Sequence, residues 1–372
     1  MKKSKTICID ATFIGSGGAI NHLYNLIENY NNYSEIIYLW APINILNQIP
    51  DKNFLIKKSN FYINSNYFIK FLWCFIFMKK ELQRNNISLL FVLNGINFSR
   101  FSNYVGISQN LLPFNKRELL KLLNKPFFLL KLILIRYLQL YSYKKSDGFI
   151  FLNSYAQSIF KSLSSSNSKT IVIPHGVNRQ EIPVKVNFDL SNQINILSIS
   201  PIEKYKNYNV IIPALKKFND NNNRKIHLTI IGSYESGYSQ LKKIIRRLNL
   251  ESFVHFKGRL AHNDVIKILH KYDFFIFSSS CENFPITLLE AAAANVPILC
   301  SNIQPMPEIL NNNAIFFNPY DSNSIYKSFD KITNLNQISL MLNNARKALN
   351  KYNWNVTTIK TFNFLNKFTR GK

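Results

Sequence analysis

The run Phe274-Phe-Ile-Phe277 constrains this chain most. Four apolar residues without a break, ended by three serines, fit a strand covered on both faces, as in a parallel sheet. Pro285 then stands where the first turn of a helix begins, since its missing N–H is no loss there. Ile286, Leu288, Leu289 and Ala291 to Ala294 continue that helix with good formers and no Gly. Pro297-Ile-Leu-Cys300 supplies a second short strand. Strand, loop, helix, strand is the unit of an open α/β sheet, where ligands sit in the loops beyond the carboxyl ends of the strands.

The rest of the chain repeats this alternation. Before the middle, candidate strands are Thr6–Asp10, Glu35–Leu39, Phe54–Ile56, Ser88–Leu93, Tyr104–Ile107 and Gly148–Leu152, with helical stretches between most of them. After it come strands Ile194–Ile199, His227–Ile231 and Val254–Phe256, with helices Tyr208–Phe218, Ser239–Leu248 and Asn263–His270. A chain of 372 residues suggests two domains, at roughly 150 residues each. We place the first over residues 1–178 and the second over 179–350, with 351–372 as a closing helix. Asn31-Asn32, Asn221 to Asn223 and Asn311 to Asn313 read as loops.

The formal net charge is +26, from 46 basic and 20 acidic residues. Such a balance calls for a polyanionic neighbour: nucleic acid, an anionic membrane surface or a phosphate-bearing substrate. No helix-turn-helix, zinc-finger or RNA-recognition pattern occurs, and the basic residues are spread among apolar stretches, so no nucleic-acid partner is expected. Two of those stretches stand out. Phe71-Leu-Trp-Cys-Phe-Ile-Phe-Met78 is bracketed by Lys70 and Lys79-Lys80, and Lys116 to Lys145 carries eight Lys and Arg against one Glu. Lys131 and Arg136 break the second too often for a span. It fits either a helix lying on an anionic membrane surface or a buried helix whose charged ends reach water. Cys8, Cys74, Cys281 and Cys300 are scattered, with neither disulfide nor zinc spacing. The Met1-Lys-Lys-Ser-Lys start has the charge of a signal peptide, but Asp10 interrupts the apolar run after it, so a first strand is expected instead.

Glu282 and Glu290 punctuate the central unit. On one continuous helix their separation would set them roughly 80° apart. With Glu282 in the loop and Glu290 on the helix, both can border one crevice, with helix-start amides between them as an anion site. Near the start of the chain, Gly15-Ser-Gly-Gly18 precedes another helical stretch. It reads as a plain loop, or as glycines that let a ligand approach the backbone closely.

Glu282-Asn-Phe-Pro-Ile-Thr-Leu-Leu-Glu290, flanked by Tyr272-Asp-Phe-Phe-Ile-Phe-Ser-Ser, Pro307-Glu-Ile and Phe317-Asn-Pro-Tyr-Asp321, resembles the E-x7-E signature of retaining GT-B glycosyltransferases, family 4 in particular. The resemblance is strong from about Ile194 to Asp321 and weaker before it. It implies an α/β GT-B fold: two facing doubly wound, Rossmann-like parallel-sheet domains with a C-terminal crossover helix, anchored by Trp354. It implies transfer of a sugar from a nucleoside diphosphate sugar (UDP- or GDP-linked) to a saccharide or lipid-linked saccharide in cell-surface polysaccharide (lipopolysaccharide, capsule) synthesis. Retention at the anomeric carbon, no metal and no cofactor beyond the donor substrate follow from it. With the charge, it implies a cytoplasmic protein associated peripherally with the membrane's inner face.

The resemblance also assigns residues. Glu282 and Lys206 would be catalytic. Glu290, Asn283, Phe284, Pro285, Ile286, Thr287, Lys204, Gly258, Arg259 and Ser198 would lie at the donor, and Gly17, Gly18, Gln109 and Asn110 on the acceptor side. Two positions depart from the family pattern. Ser198 stands where relatives place an Arg, and Ser108-Gln-Asn110 where they often place a His. His175 is expected as a hinge-region residue. The departures keep alternatives open: a membrane-associated scaffold or subunit without catalysis, or a sugar-nucleotide epimerase of the same fold.

Overall fold

Two parallel sheets organise the protein, and the computed structural model describes residues 5–15, 17–31, 35–186 and 193–369. The first unit comprises the described residues up to Gly176 together with those from Trp354 onward, and the second spans Val177–Asn353.

In the first unit the strands are β1 (Lys5–Asp10), β2 (Glu35–Trp40), β3 (Leu55–Lys58), β4 (Leu89–Val92), β5 (Tyr104–Ile107), β6 (Gly148–Phe151) and β7 (Lys169–Val172), in the order β3-β2-β1-β4-β5-β6-β7. Every pairing is parallel. Strands β4, β5 and β6 are buried throughout, which is why they read as unbroken apolar runs. Three helices of this unit matter below. Helix α1 is Gly18–Glu28. Helix α2 is Tyr67–Trp73, which runs through a π turn at Cys74–Met78. Helix α3 is Pro126–Lys145.

Burial on α3 is confined to Leu132, Gln139, Ser142 and Tyr143. Phe127 is 90% exposed, and Leu130, Ile133, Leu134, Tyr137 and Tyr141 are exposed too. The structure therefore does not show a buried helix here. Tyr67 and Phe68 on α2 are also exposed, and Lys131 of α3 lies 5.5 Å from the Tyr67 ring. Lys70, which brackets the first of the two stretches, and Lys131 of the second thus both lie near the Tyr67 ring, at 5.9 and 5.5 Å, on an exposed apolar and basic surface. Among the described residues, no helix is long and apolar enough to cross a membrane.

The second unit repeats the plan with β8 (Gln193–Ile199), β9 (Lys225–Ile231), β10 (Val254–Gly258), β11 (Phe274–Phe277), β12 (Ile298–Ser301) and β13 (Ile315–Phe317), ordered β10-β9-β8-β11-β12-β13 and parallel throughout. Phe274 to Phe277 are all buried, as a central strand requires. Burial of each such ring stabilises the fold by about 1.5–3 kcal/mol relative to exposure. Its helices include α4 (Tyr208–Asn221), α5 (His262–Ile268) and α6 (Ile286–Ala293). The helix expected over Asn263–His270 starts one residue earlier, and Leu269–Lys271 tightens into a 3-10 turn. The chain then returns to the first unit as α7 (Trp354–Asn366), where Thr357 donates a hydrogen bond to the Pro174 carbonyl at 2.9 Å.

Candidate functional site

Strand order reverses between β8 and β11, which are neighbours although two strands separate them in the chain. The loops leaving their carboxyl ends must diverge there, opening the crevice in which α/β sheets bind ligands. Asp273 fixes the entry to β11: it accepts from the Asn195 amide at 2.8 Å and pairs with Lys185 at 3.0 Å. At the other end, the loop after β8 is stitched to the loop after β11. The Ser280 amide donates to the Tyr205 carbonyl at 2.9 Å. Asn207, in the left-handed region at φ 53°, donates from its side chain to the Tyr205 and Ser278 carbonyls at 3.0 and 2.9 Å. An Asn tolerates that backbone shape and supplies both bonds. Gly232 ends β9 against the same loop, where a Cβ would lie 2.0 Å from the Ser200 carbonyl oxygen.

This stitching carries Lys206 onto Glu282. Their side chains form a hydrogen-bonded ion pair, with Lys206 buried and Glu282 half-buried. Each charge offsets the desolvation of the other. Behind Glu282, Asn283, Phe284 and Pro285 are buried, and the Phe284 ring packs edge-on against Tyr352 at 5.7 Å. Pro285 caps α6, so the amides of Ile286 and Thr287 open the helix and have no intrahelical carbonyl to meet. Lys204 and Arg259 are exposed, and Gly258 closes β10 at φ 66°.

Ser198 has a different setting from these. It is buried, its hydroxyl 3.0 Å from that of Tyr208, which also meets Ser200 at 2.7 Å. Burial pushes the Tyr208 hydroxyl's pKa up, so this is a neutral hydroxyl chain under the loop. At the position where the resemblance implies a cation, Ser198 makes a packing contact.

Glu290 brought a partner the sequence reading missed. Its side chain is buried on α6, with Oε1 2.7 Å from Nε2 of His262, the first residue of α5. His262 remains about half exposed, its side chain at 54%. The hydrogen bond to Glu290, more than burial opposes it, raises the His262 pKa above its usual value. The two residues lie 28 positions apart on different elements, so no local spacing announced the pair. The weak signal was a His just after Gly258-Arg259.

In the first unit, Gly17 caps α1 at φ 77°, and a Cβ added at Gly17 or Gly18 would meet nothing within 4 Å. Gln109, just past β5, lies with Nε2 3.0 Å from Nδ1 of His22 on α1. His22 packs at 4.6 Å on His175, and Trp354 of α7 lies at 6.0 and 5.5 Å from the two rings. Burial holds His22 neutral, its pKa lowered to about 3, and takes His175 well below the usual value, with His22 adding to the effect. Asn110 spends its Oδ1 on the Leu112 amide at 2.9 Å. The sequence reading named Gln109 but not His22, whose only signal was its place one turn after Gly18.

Among the described residues, no group of three or more His, Cys, Asp and Glu could hold a metal ion, and the four cysteines are buried and not joined in disulfides. The second unit instead brings Lys206, helix-start amides and the carboxylates Glu282 and Glu290 to the loops at the strand-order reversal. Cation and amides suit an anion, and carboxylates suit hydroxyls.

Comparison with known proteins places these features. Residues 178–353 match the family described as "Glycosyl transferases group 1". The O-antigen chain mannosyltransferase RfbU of Salmonella typhimurium is 26% identical over 187 residues, 50% of this chain and 51% of that protein. The chain spans about half the length of the curated relatives it matches. Among solved structures, sucrose-phosphate synthase from Thermosynechococcus elongatus superposes with a TM-score of 0.79 at 13% identity, covering 98% of both chains. HepE of Anabaena, in complex with UDP and glucose, gives 0.72 at 17% identity, over 98% of this chain and 100% of that one. At such identities the structures speak for the fold alone. The fold is thus of the GT-B class, and the glycosyl transferases group 1 match falls on the unit that carries Lys206, Glu282 and Glu290.

Proposed function

We propose that the protein is a retaining, metal-independent glycosyltransferase of the E-x7-E type. It moves a sugar from a nucleoside diphosphate sugar to a saccharide or lipid-linked saccharide in the building of a cell-surface polysaccharide. The observation that carries this reading is the meeting of Lys206 and Glu282 from two loops at the reversal of strand order, with Glu290 on the helix that follows. A relative named as an O-antigen chain mannosyltransferase supports the substrate class.

The chemistry asks for charge stabilisation. As the bond from the anomeric carbon to the diphosphate breaks, negative charge grows on the leaving oxygen. Lys206 and the amides at the start of α6 oppose that charge where it develops. Glu282 accepts hydrogen bonds from sugar hydroxyls and favours positive character at the anomeric carbon. Glu290 holds the ribose diol, for which a carboxylate is a two-oxygen acceptor. The acceptor oxygen forms the new bond on the face the diphosphate leaves, and its proton passes to a phosphate oxygen. No step in this account calls for a metal or a further cofactor. We assign Gly17, Gly18, Gln109 and Asn110 to the acceptor side.

Calorimetric binding of UDP, GDP, CDP and ADP tests the reading. One clear preference, lost in Glu290→Ala, is expected. Binding of none would put a non-catalytic scaffold ahead, the reading that buried Ser198 favours.

The exposed surface on α2 and α3 supports a second element: the acceptor lies at an anionic membrane surface on the cytoplasmic side. Phe127, Leu130 and Tyr67 stand in water beside Lys131 and Lys70. Apolar side chains flanked by cations suit the boundary between headgroups and acyl chains. Sedimentation with anionic vesicles at low salt should retain the protein; its absence from the pellet would remove this element.

A further inference from the structure

We propose that His262 is a positioning residue for the nucleotide: it holds the Glu290 carboxylate and offsets its charge beside the ribose and diphosphate. This rests on reading Glu290 as the ribose contact. The geometry supports it in three ways. Glu290 is buried, and burying a carboxylate is costly without a hydrogen-bonding partner. His262 supplies that partner at 2.7 Å through Nε2 and Oε1, leaving Oε2 to accept from a ligand. The His262 ring is about half exposed, so it can exchange its proton with solvent while Glu290 stays covered.

Charge decides the direction. A diphosphate beside an unbalanced carboxylate is repelled, and an imidazolium between them relieves that repulsion. The groups acting on His262 are Glu290 from α6 and Glu181 from the turn at Arg179–Glu181, both of which raise its pKa, against burial, which lowers it. Arg259 before it and Asp264 on its own helix are its charged neighbours in the chain. Nucleotide affinity should therefore be highest with His262 protonated and fall as pH rises through its elevated pKa. A charged hydrogen bond exceeds a neutral one by about 1 kcal/mol, so the fall should be about fivefold.

The test pairs two measurements on the full chain. First, NMR titration of the histidines without ligand, with the His262 signal assigned by its loss in His262→Gln. Its pKa should lie above 6.5 and drop in Glu290→Gln. Second, calorimetry with the preferred nucleoside diphosphate from pH 5.5 to 8.5. Across this range the wild type should lose about fivefold more in affinity than His262→Gln, which keeps a donor but carries no charge and shares only the titration of the ligand's own terminal phosphate. An ordinary His262 pKa, or the same profile in wild type and His262→Gln, overturns the inference while leaving nucleotide binding at Glu290 intact. A raised pKa with no nucleotide bound at any pH overturns the function reading, and the positioning role with it.

Discussion

Lys206 in the second unit and His22 in the first are both nearly withdrawn from water, yet they have opposite fates. Lys206 lies against the Glu282 carboxylate, and Glu290 against His262. His22 lies against a second buried imidazole, a glutamine amide and an indole, and is held neutral. The two sheets end alike in loops, so topology does not make the difference. What differs is whether a buried group meets an opposite charge. The second unit pairs Lys206 with Glu282 and the titratable His262 with Glu290, which suits the charged donor proposed above. The first has neutral polar groups beside a glycine loop, which suits hydroxyls.

Four tests would break or sharpen that contrast, the second of them on a pair of variants. The largest effect is expected from Lys206→Ala, which should lower kcat by about 100-fold or more in steady-state assays with the matched donor. Unchanged turnover would mean that the paired ions of the second unit are not where charge develops. Glu290→Ala should weaken nucleoside diphosphate binding by about 10- to 100-fold, the worth of a charged hydrogen bond. Glu282→Ala should depress turnover with nucleotide affinity largely kept. Calorimetry and kinetics on the two variants separate the roles, and equal loss of both quantities in both would merge them.

The third test varies pH. Burial lowers the His22 pKa from 6.5 to about 3, so the unfolded chain binds the extra proton between those values. Stability is therefore present above about pH 6.5 and is lost as pH falls toward 3. At pH 5 the loss from His22 should be about 2 kcal/mol relative to pH 7. His175 acts with the same sign. Urea unfolding at both pH values reads it, and His22→Gln should flatten part of the slope; equal slopes in the two proteins would deny that His22 is buried as a neutral group. The smallest effect is outside the site. Lys131→Gln on α3 should weaken binding to anionic vesicles by about fivefold, since each basic side chain near such a surface contributes about 1 kcal/mol and the change removes one. Sedimentation at two salt concentrations measures it; an unchanged pellet would separate the basic surface from any membrane role.

Much of this site was legible as local pattern. Phe274 to Phe277 announced a buried strand, Pro285 a helix start, and Glu282 with Glu290 the two carboxylates of a loop–helix unit. Lys206 was legible through its place in a loop after the first strand of the second half. Ser198 was named at the position of a donor cation, but whether it faces the crevice or the core depends on Tyr208 packing beneath it. The contact of Gln109 with His22 joins residues 87 positions apart, which no period of 2 or 3.6 can express.

The sequence by itself determined the alternation of strand and helix, hence two parallel sheets, because the period of apolar residues is a local property of the chain. It determined as well which residue types stand in the loops beyond the strands. Tertiary structure alone decided the partners of those residues. Lys206 faces Glu282, Glu290 faces His262, and His22 is enclosed without a counter-charge. The physical reason is that charge in a protein is set by burial and by what lies within a few ångströms, and both are properties of packing between elements far apart in the chain.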